Sequence, residues 1–415
     1  MKILYISQYF PPEIGAASAR VYEISKRWVK LDQEVTVLTG FPSYPTGRIP
    51  DEYRRKILKF VISEEIDGIK VVRTLFYPTS YRGSFKRILN YVSFLISASM
   101  VGVFLKKADV IVVTSPPLLV GFAGYLVSCI KKIPLIFEVR DLWPESLAGT
   151  GIGSEHSCFY RLLEKMALFL YRRSTKIVVV TDGFRKELVS KKGISSDKIE
   201  VIKNGVDPDL FKPLSNAERI KSELGFGGKF VVSYIGTIGL SHGIEIVLEA
   251  AKLLTTKLSN LVFLIVGEGP ERDKVLRVKS DDNLTNLLFF GEQPRERIPA
   301  FINASDICLV PLKNTEYFKT RIPAKLFEIM GCAKPIILTA DGEARQIVVD
   351  QAKAGLYAEP NKVDDLVSAV LRLYNDSGLR SQFGENGREY VVKNFSREIQ
   401  TRDYLEILRL VLDEK

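Results

Sequence analysis

Residues 316–328 hold a dense set of side chains suited to an anionic sugar compound: Glu316, Lys319, Arg321, Lys325 and Glu328. They occupy a polar loop and the helical run IPAKLFEIMG, between two β-rich stretches, DICLVPL (306–312) and PIIL (335–338). Pro323 suits a first helical position, where its missing N–H is not needed, and Gly331 suits a stop. The helix thus begins where a strand ends. In open α/β sheets ligands bind at that edge, against free N–H groups and the positive end of the helix dipole. Lys325 and Glu328 are three apart and share a helix face. A cation there suits a phosphate, and a carboxylate one turn on can accept hydrogen bonds from a sugar diol.

The rest of the chain alternates strand and helix. MKILYIS opens it as a buried strand, and FPPEIGAASARVYEISKRWVK gives a loop and a helix. EVTVLTG, IKVVRTLF, DVIVVTS, PLIFEVRD, KIVVVT and IEVIKNGVD read as further strands, and FPSYPTGRIPDEYRRK, after the first of them, reads as a long polar loop. SNAERIKSELGFGG turns polar and reads as an interdomain linker. The rhythm then restarts with KFVVSYIG, LVFLIVGEG, LLFFGE, DICLVPL, PIILT and AGLYAE. Two βαβ halves predict an α/β protein of two facing Rossmann-like domains with a cleft between them. The predicted domains are 1–208 and 209–395, with the final helix of 396–415 crossing back to the first.

Bulk properties bound the function. A chain of 415 residues is long for one core. The net charge of +10 favours an acidic partner, whether nucleotide phosphates, an anionic membrane face or nucleic acid. Nucleic acid is the weakest of these, since no basic-aromatic groove or known motif occurs. The four cysteines are scattered without a CxxC, as in a reducing compartment, and two histidines argue against a histidine-based metal site. No strand is followed by GxGxxG, which disfavours a dinucleotide dehydrogenase. The N-terminus shows no signal-peptide pattern.

Residues 88–105, ILNYVSFLISASMVGVFL, carry no charge and are flanked by Arg82, Lys86, Arg87, Lys106 and Lys107. A spanning helix there would split the sheet that ADVIVVTSPP must join. A core helix with one face reaching a membrane is the expectation, and FYRLLEKMALFLYRRSTK (159–176) is a second interfacial candidate beside an ordinary surface reading.

Seven stretches in order carry a resemblance: YFPPEIGAASARV, FEVRDLWPES, VIKNGVDPDLFKP, YIGTIGLSHGIE, VGEGPERDKV, FFGEQPRERIPAFINASDICLVPL and IPAKLFEIMGCAKPII. The chain resembles the retaining glycosyltransferases of family 4, with the GT-B fold. Its branch looks similar to bacterial enzymes of O-antigen or capsule synthesis such as L-fucosamine transferases. The resemblance implies a nucleotide diphosphate donor, a UDP-sugar first and GDP second. It implies a lipid-linked or polysaccharide acceptor, metal-independent transfer with retention, and a cytoplasmic site peripheral to the inner membrane face.

Roles follow by matching positions. Glu328 corresponds to the second glutamate of the family's E-x7-E pattern, which binds the ribose. The first falls on Thr320, so the carboxylate that usually meets the donor sugar is missing, and Glu316 replaces it only if the loop folds differently. The family's basic pair in the glycine turn falls on Thr237 and His242. The diphosphate is then expected to rest on Lys325, Arg321 and backbone N–H groups near Gly239 and Gly15. Asp141 is the expected residue to orient or deprotonate the acceptor hydroxyl, with Arg140 at a position often held by histidine and Glu145 behind it. The plainer reading of Asp141 is a cap paired with Arg140. Gly267 and Gly269 form either a turn or a donor contact, Glu268 and Glu292 remain unassigned, and His156 reads as a loop residue. Asp207 and Asp209 match a metal-binding Asp-x-Asp in letters but read as a turn. Two other function classes stand beside the transferase: a sugar-nucleotide 2-epimerase of the same fold, and a non-catalytic nucleotide- or membrane-binding protein.

Overall fold

The computed structural model describes residues 1–44, 46–80, 84–149 and 157–413, so His156 lies outside the described residues. The chain divides into two compact units, Met1–Lys203 with Glu398–Lys415, and Asn204–Arg397.

The first unit is built on eight strands: β1 (Lys2–Ile6), β2 (Glu34–Gly40), β3 (Val61–Ile66), β4 (Ile69–Thr74), β5 (Val110–Ser115), β6 (Leu135–Val139), β7 (Lys176–Val179) and β8 (Ile199–Val201). Their order is β3-β4-β2-β1-β5-β6-β7-β8, parallel throughout except for the β3/β4 hairpin. Strands β1, β5 and β6 are apolar runs because helices cover both faces. One face carries the helices Ala16–Lys30 and Arg397–Asp413, whose side chains Trp28 and Tyr404 meet edge to face at 5.3 Å. Trp28 Nε1 also donates to the Thr401 carbonyl, so the last helix returns to the first unit as expected. Ser84–Phe104 and Leu118–Lys131 are the next two helices. They pack closely at Gly102, where an added Cβ would sit 2.7 Å from Val127, and Gly124 brings the second of them onto β5, where a Cβ would sit 2.8 Å from Val113.

At the centre of this unit Glu138 on β6 meets Arg20 Nε at 2.9 Å and accepts from the Tyr5 hydroxyl at 2.8 Å. Arg20 also donates to the carbonyls of Ile202 and Lys203. The guanidinium therefore satisfies the carboxylate and the last turn of the unit at once, which a buried charge requires.

The second unit has six parallel strands: β9 (Phe230–Ile235), β10 (Leu261–Val266), β11 (Leu287–Phe290), β12 (Ile307–Pro311), β13 (Ile336–Thr339) and β14 (Gly355–Tyr357). Their order, β11-β10-β9-β12-β13-β14, is that of a doubly wound nucleotide-binding sheet with its switch point between β9 and β12.

Two expectations change. The stretch read as a linker contains the helix Ala217–Glu223 and belongs to the second unit. Lys221 pairs there with Asp306 at 2.7 Å and Phe226 is buried in the core, so polar composition concealed an anchored segment. The division itself falls between Lys203 and Asn204, inside the KNGVD run. The stretch after EVTVLTG, read as a long loop, contains the short helix Asp51–Arg54 and then leads into edge strand β3. The outer face of β3 is exposed, so VISEEI lacks the apolar signal of a buried strand.

Candidate functional site

In the second unit the loops that follow β9 and β12 converge at the switch point. The helix behind them runs from Lys325 to Gly331 with Ala324 at its cap, which leaves Pro323 just outside rather than at the first helical position. Lys325 and Glu328 share this helix but do not act as a pair. The Lys325 Nζ lies 4.0 Å from the centroid of the Tyr234 ring, is closed off from solvent and has no hydrogen-bond partner among the described residues. Burial pulls its pKa down to about 7, with Glu328 opposing the shift. Its amine also fills the space a side chain would need at Gly236, where a Cβ would come within 2.7 Å of Nζ. Gly236 has φ +135 and takes its N–H to the Val266 carbonyl, so this glycine serves both a strained backbone and a close approach.

His242 sits beside this amine. Burial, then the charges of Lys325 and Arg321, push its pKa down to about 3, so it is a neutral ring. The His242 backbone N–H returns to the Gly239 carbonyl, and Gly239 leaves room for the ring, since a Cβ there would be 3.1 Å from Nδ1. Arg321 lies over the rings of Tyr317 and Phe318 at 5.8 and 5.7 Å, a stacked setting. Lys325, Arg321, His242 and Gly239 are thus brought together.

Glu328 instead meets Arg295 at 2.9 Å, and that guanidinium stands over Phe211 at 5.1 Å. Arg295 is a residue sequence reasoning missed: it follows β11, far from Glu328 in the chain, and only its basic character within QPRER marked it. Glu316 is highly exposed, on the helix Glu316–Lys319, and pairs with Lys319 at 2.6 Å. Thr320 returns its hydroxyl to the Tyr317 carbonyl. Gly267 has φ +140, and a Cβ there would lie 2.0 Å from the Gly236 carbonyl oxygen, so packing of two loops accounts for it. Glu268 pairs with Arg272 at 3.2 Å, and the Glu292 carboxyl is raised by burial and by Glu268. Asp207 accepts the N–H groups of Asp209 and Leu210, which is a capped turn.

In the first unit Gly15 caps the helix Ala16–Lys30 with φ +136, is exposed, and has open space where a side chain would project. Its loop is held by Glu13, another residue the sequence did not reveal. The Glu13 carboxylate accepts the N–H groups of Phe10, Ser43 and Tyr44, and burial outweighs them and raises its pKa to about 7. Arg140 follows β6 and bonds its N–H to the Ser115 carbonyl. Its Nε and Nη2 are closed off from solvent and lack hydrogen-bond partners among the described residues, while its charge helps hold Glu138 ionised. Asp141 lies next in the same turn, half-buried. Glu145 is engaged elsewhere, meeting Lys192 at 2.6 Å, and so does not support Asp141 as expected.

Comparison with known proteins accords with this geometry. Residues 17–210 match the model of Glycosyltransferase Family 4 and residues 216–390 that of Glycosyl transferases group 1. WcaI of Escherichia coli K12, a glycosyl transferase assigned to colanic acid biosynthesis, is 22% identical over 99% of this chain and 100% of its own. The sucrose-phosphate synthase of Thermosynechococcus elongatus superposes with a TM-score of 0.79 at 19% identity, covering 100% of each chain. HepE of Anabaena in complex with UDP-glucose superposes with a TM-score of 0.73 at 17% identity, covering 99% of each. The fold is GT-B, as the resemblance implied.

Proposed function

We propose, from the chain's place among the group 1 and family 4 glycosyltransferases, that it moves a sugar from a nucleotide diphosphate to a polysaccharide or lipid-linked acceptor. The donor is a UDP-sugar of hexose or N-acetylaminosugar type, with L-fucosamine among the candidates. Transfer proceeds with retention and without a metal, in cell-surface polysaccharide synthesis of the O-antigen or capsule kind, peripheral to the inner face of the cytoplasmic membrane. The UDP-glucose in the HepE structure and the assignment of WcaI to colanic acid biosynthesis support this reading.

One observation carries it. Lys325 is a buried amine at a doubly wound switch point with no acceptor for its N–H groups among the described residues. A buried cation of this kind is costly unless an anion completes it. The diphosphate of a sugar nucleotide is such an anion. Arg321 adds charge beside it, and neutral His242 donates or accepts without competing for the anion. Glu328, already held by Arg295, presents a carboxylate to the ribose hydroxyls.

Breaking the sugar–phosphate bond builds negative charge on the leaving diphosphate, and fixed cations stabilise that charge as it develops. Asp141 orients the acceptor hydroxyl or takes its proton, and Arg140 brings to the same turn a guanidinium whose Nε and Nη2 have no partner among the described residues. Gly15 offers the exposed first N–H groups of a fifteen-residue helix to phosphate oxygens.

Thermal denaturation with UDP, GDP and their sugar conjugates tests the donor site, because a ligand of the folded state alone raises Tm. UDP-sugars should stabilise in the presence of a chelator, and Lys325→Met should erase the shift. A shift that needs magnesium sinks the metal-free part. Formation of an epimer from donor alone would favour the 2-epimerase, and a donor shift without turnover on any acceptor would favour a binding protein.

A further inference from the structure

The helix Ser84–Phe104 has two faces. Asn90, Phe94, Ala98 and Gly102, each four residues apart, are buried against the first unit. The opposite face sets Phe85, Leu89, Ile96, Met100 and Phe104 in the open, with Met100 61% and Phe104 87% exposed. This helix is long and apolar enough to cross a membrane by length and composition. The buried stripe opposes that arrangement. Asn90 bonds Gln8 and the Tyr77 carbonyl at 2.6 Å each, and Gly102 lies against Val127, contacts that a spanning helix would forfeit.

The apolar surface continues onto two neighbours. The helix Leu118–Lys131 packs at Gly102, ties Lys131 to the Leu105 carbonyl, and exposes Leu126 and Ile130. The helix Cys158–Arg173 stacks Phe169 on Phe122 at 5.8 Å and exposes Phe159 and Leu162. Neither Ser84–Phe104 nor Leu118–Lys131 contains an acidic residue, and the single one of Cys158–Arg173, Glu164, is paired with Lys192. Exposed bases border the apolar residues: Lys86, Lys106, Lys107, Lys132, Lys165 and Arg172. Arg173 lies over the Phe169 ring at 5.7 Å, its stem along the apolar surface and its charge at the edge.

We propose that these three helices form a docking face for an anionic lipid bilayer, with Ser84–Phe104 lying in the plane of the interface. An apolar stripe bordered by lysine and arginine and free of unpaired carboxylates is what such a surface selects. Asn90 and Ser93 also bond the segment at Tyr77, just beyond the carboxyl end of β4, so the docking helix is tied to the loop that follows that strand. The proposal deepens the membrane location given above and rests on that reading for the bilayer's identity.

The test is sedimentation of the full chain with vesicles of phosphatidylethanolamine and phosphatidylglycerol, and separately of phosphatidylcholine. The vesicles containing phosphatidylglycerol should carry the protein down, less so as salt rises, and phosphatidylcholine should carry little. Ile96→Glu with Met100→Glu should lower partitioning by about tenfold or more, since two exposed apolar contacts become charged. The UDP-dependent rise in Tm should stay unchanged in that variant, which reads the donor site independently of lipid. Equal vesicle binding by wild type and variant overturns the proposal, as does failure of wild type to bind phosphatidylglycerol vesicles. Light scattering that shows a dimer dissolved by the substitutions, with vesicle binding unaffected, would instead assign the face to a second copy of the chain.

Discussion

Lys325 holds its amine 4.0 Å from the centre of the Tyr234 ring, inside the second unit and without a hydrogen-bond acceptor among the described residues. The ring face supplies a weak electrostatic partner to a cation that burial has half neutralised near pH 7. The arrangement leaves the amine ready to gain a proton when an anion arrives.

That gives a pH dependence with a definite sign. A bound diphosphate raises the Lys325 pKa, so the complex holds more protons than the free protein above pH 7. UDP-glucose affinity should be flat below pH 7 and fall as pH rises beyond it, by up to about tenfold per unit. Calorimetric titration from pH 6 to 9, in buffers of different ionisation enthalpy, should also show proton uptake at pH 8. A flat profile to pH 9 would contradict the assignment.

Replacing the same residue separates stability from function. The folded pKa lies below the ordinary lysine value, so the amine lowers stability most at and below pH 7, where the folded state must carry its charge, and costs less as pH rises toward the ordinary lysine value. Lys325→Met should therefore raise Tm by a few degrees, ~1–3 kcal/mol, while donor binding is lost. A variant both less stable and inactive would point to a structural role for the amine.

Arg295 and Glu328 should behave as one unit. In a double-mutant cycle with Arg295→Ala and Glu328→Ala, UDP binding should show a coupling of about 0.5–3 kcal/mol. Additive losses would mean that the pair is not engaged when UDP binds.

Removing the Arg20 side chain should be severe. Arg20→Met leaves Glu138 buried without its counter-ion and should cost about 3–5 kcal/mol in urea unfolding of the first unit. Replacing both residues with apolar ones of similar size should recover much of the loss.

Glu13 predicts the opposite of an ordinary carboxylate. Its folded pKa of about 7 lies above the unfolded value, so the folded state binds more protons between pH 4.5 and 7. Its contribution should therefore weaken stability as pH rises through that window, by about 3 kcal/mol at most. Denaturant midpoints at pH 5 and 7.5 should differ less in Glu13→Gln than in wild type.

Much of the fold was legible because parallel strands buried on both faces must be apolar. VIVVTS, LIFEV and LVFLIV each became a wholly buried strand. Edge strand β3 was not legible, since one exposed face breaks that signal, and Lys221 looked like linker because a partner far away in sequence neutralises it. The site divided the same way. Lys325 and Glu328 were visible from their spacing, but nothing in that spacing says that one turns to Tyr234 and the other to Arg295.

By itself the sequence determined the two sheets, the return of the last helix and the residues gathered at the switch point, because apolar runs and turn residues act over a few positions. Tertiary structure alone decided which charges are buried and what faces them. Arg295, Glu13 and the Arg20–Glu138 pair owe their roles to contacts between distant segments, where burial rather than residue type sets how strongly a charge is felt.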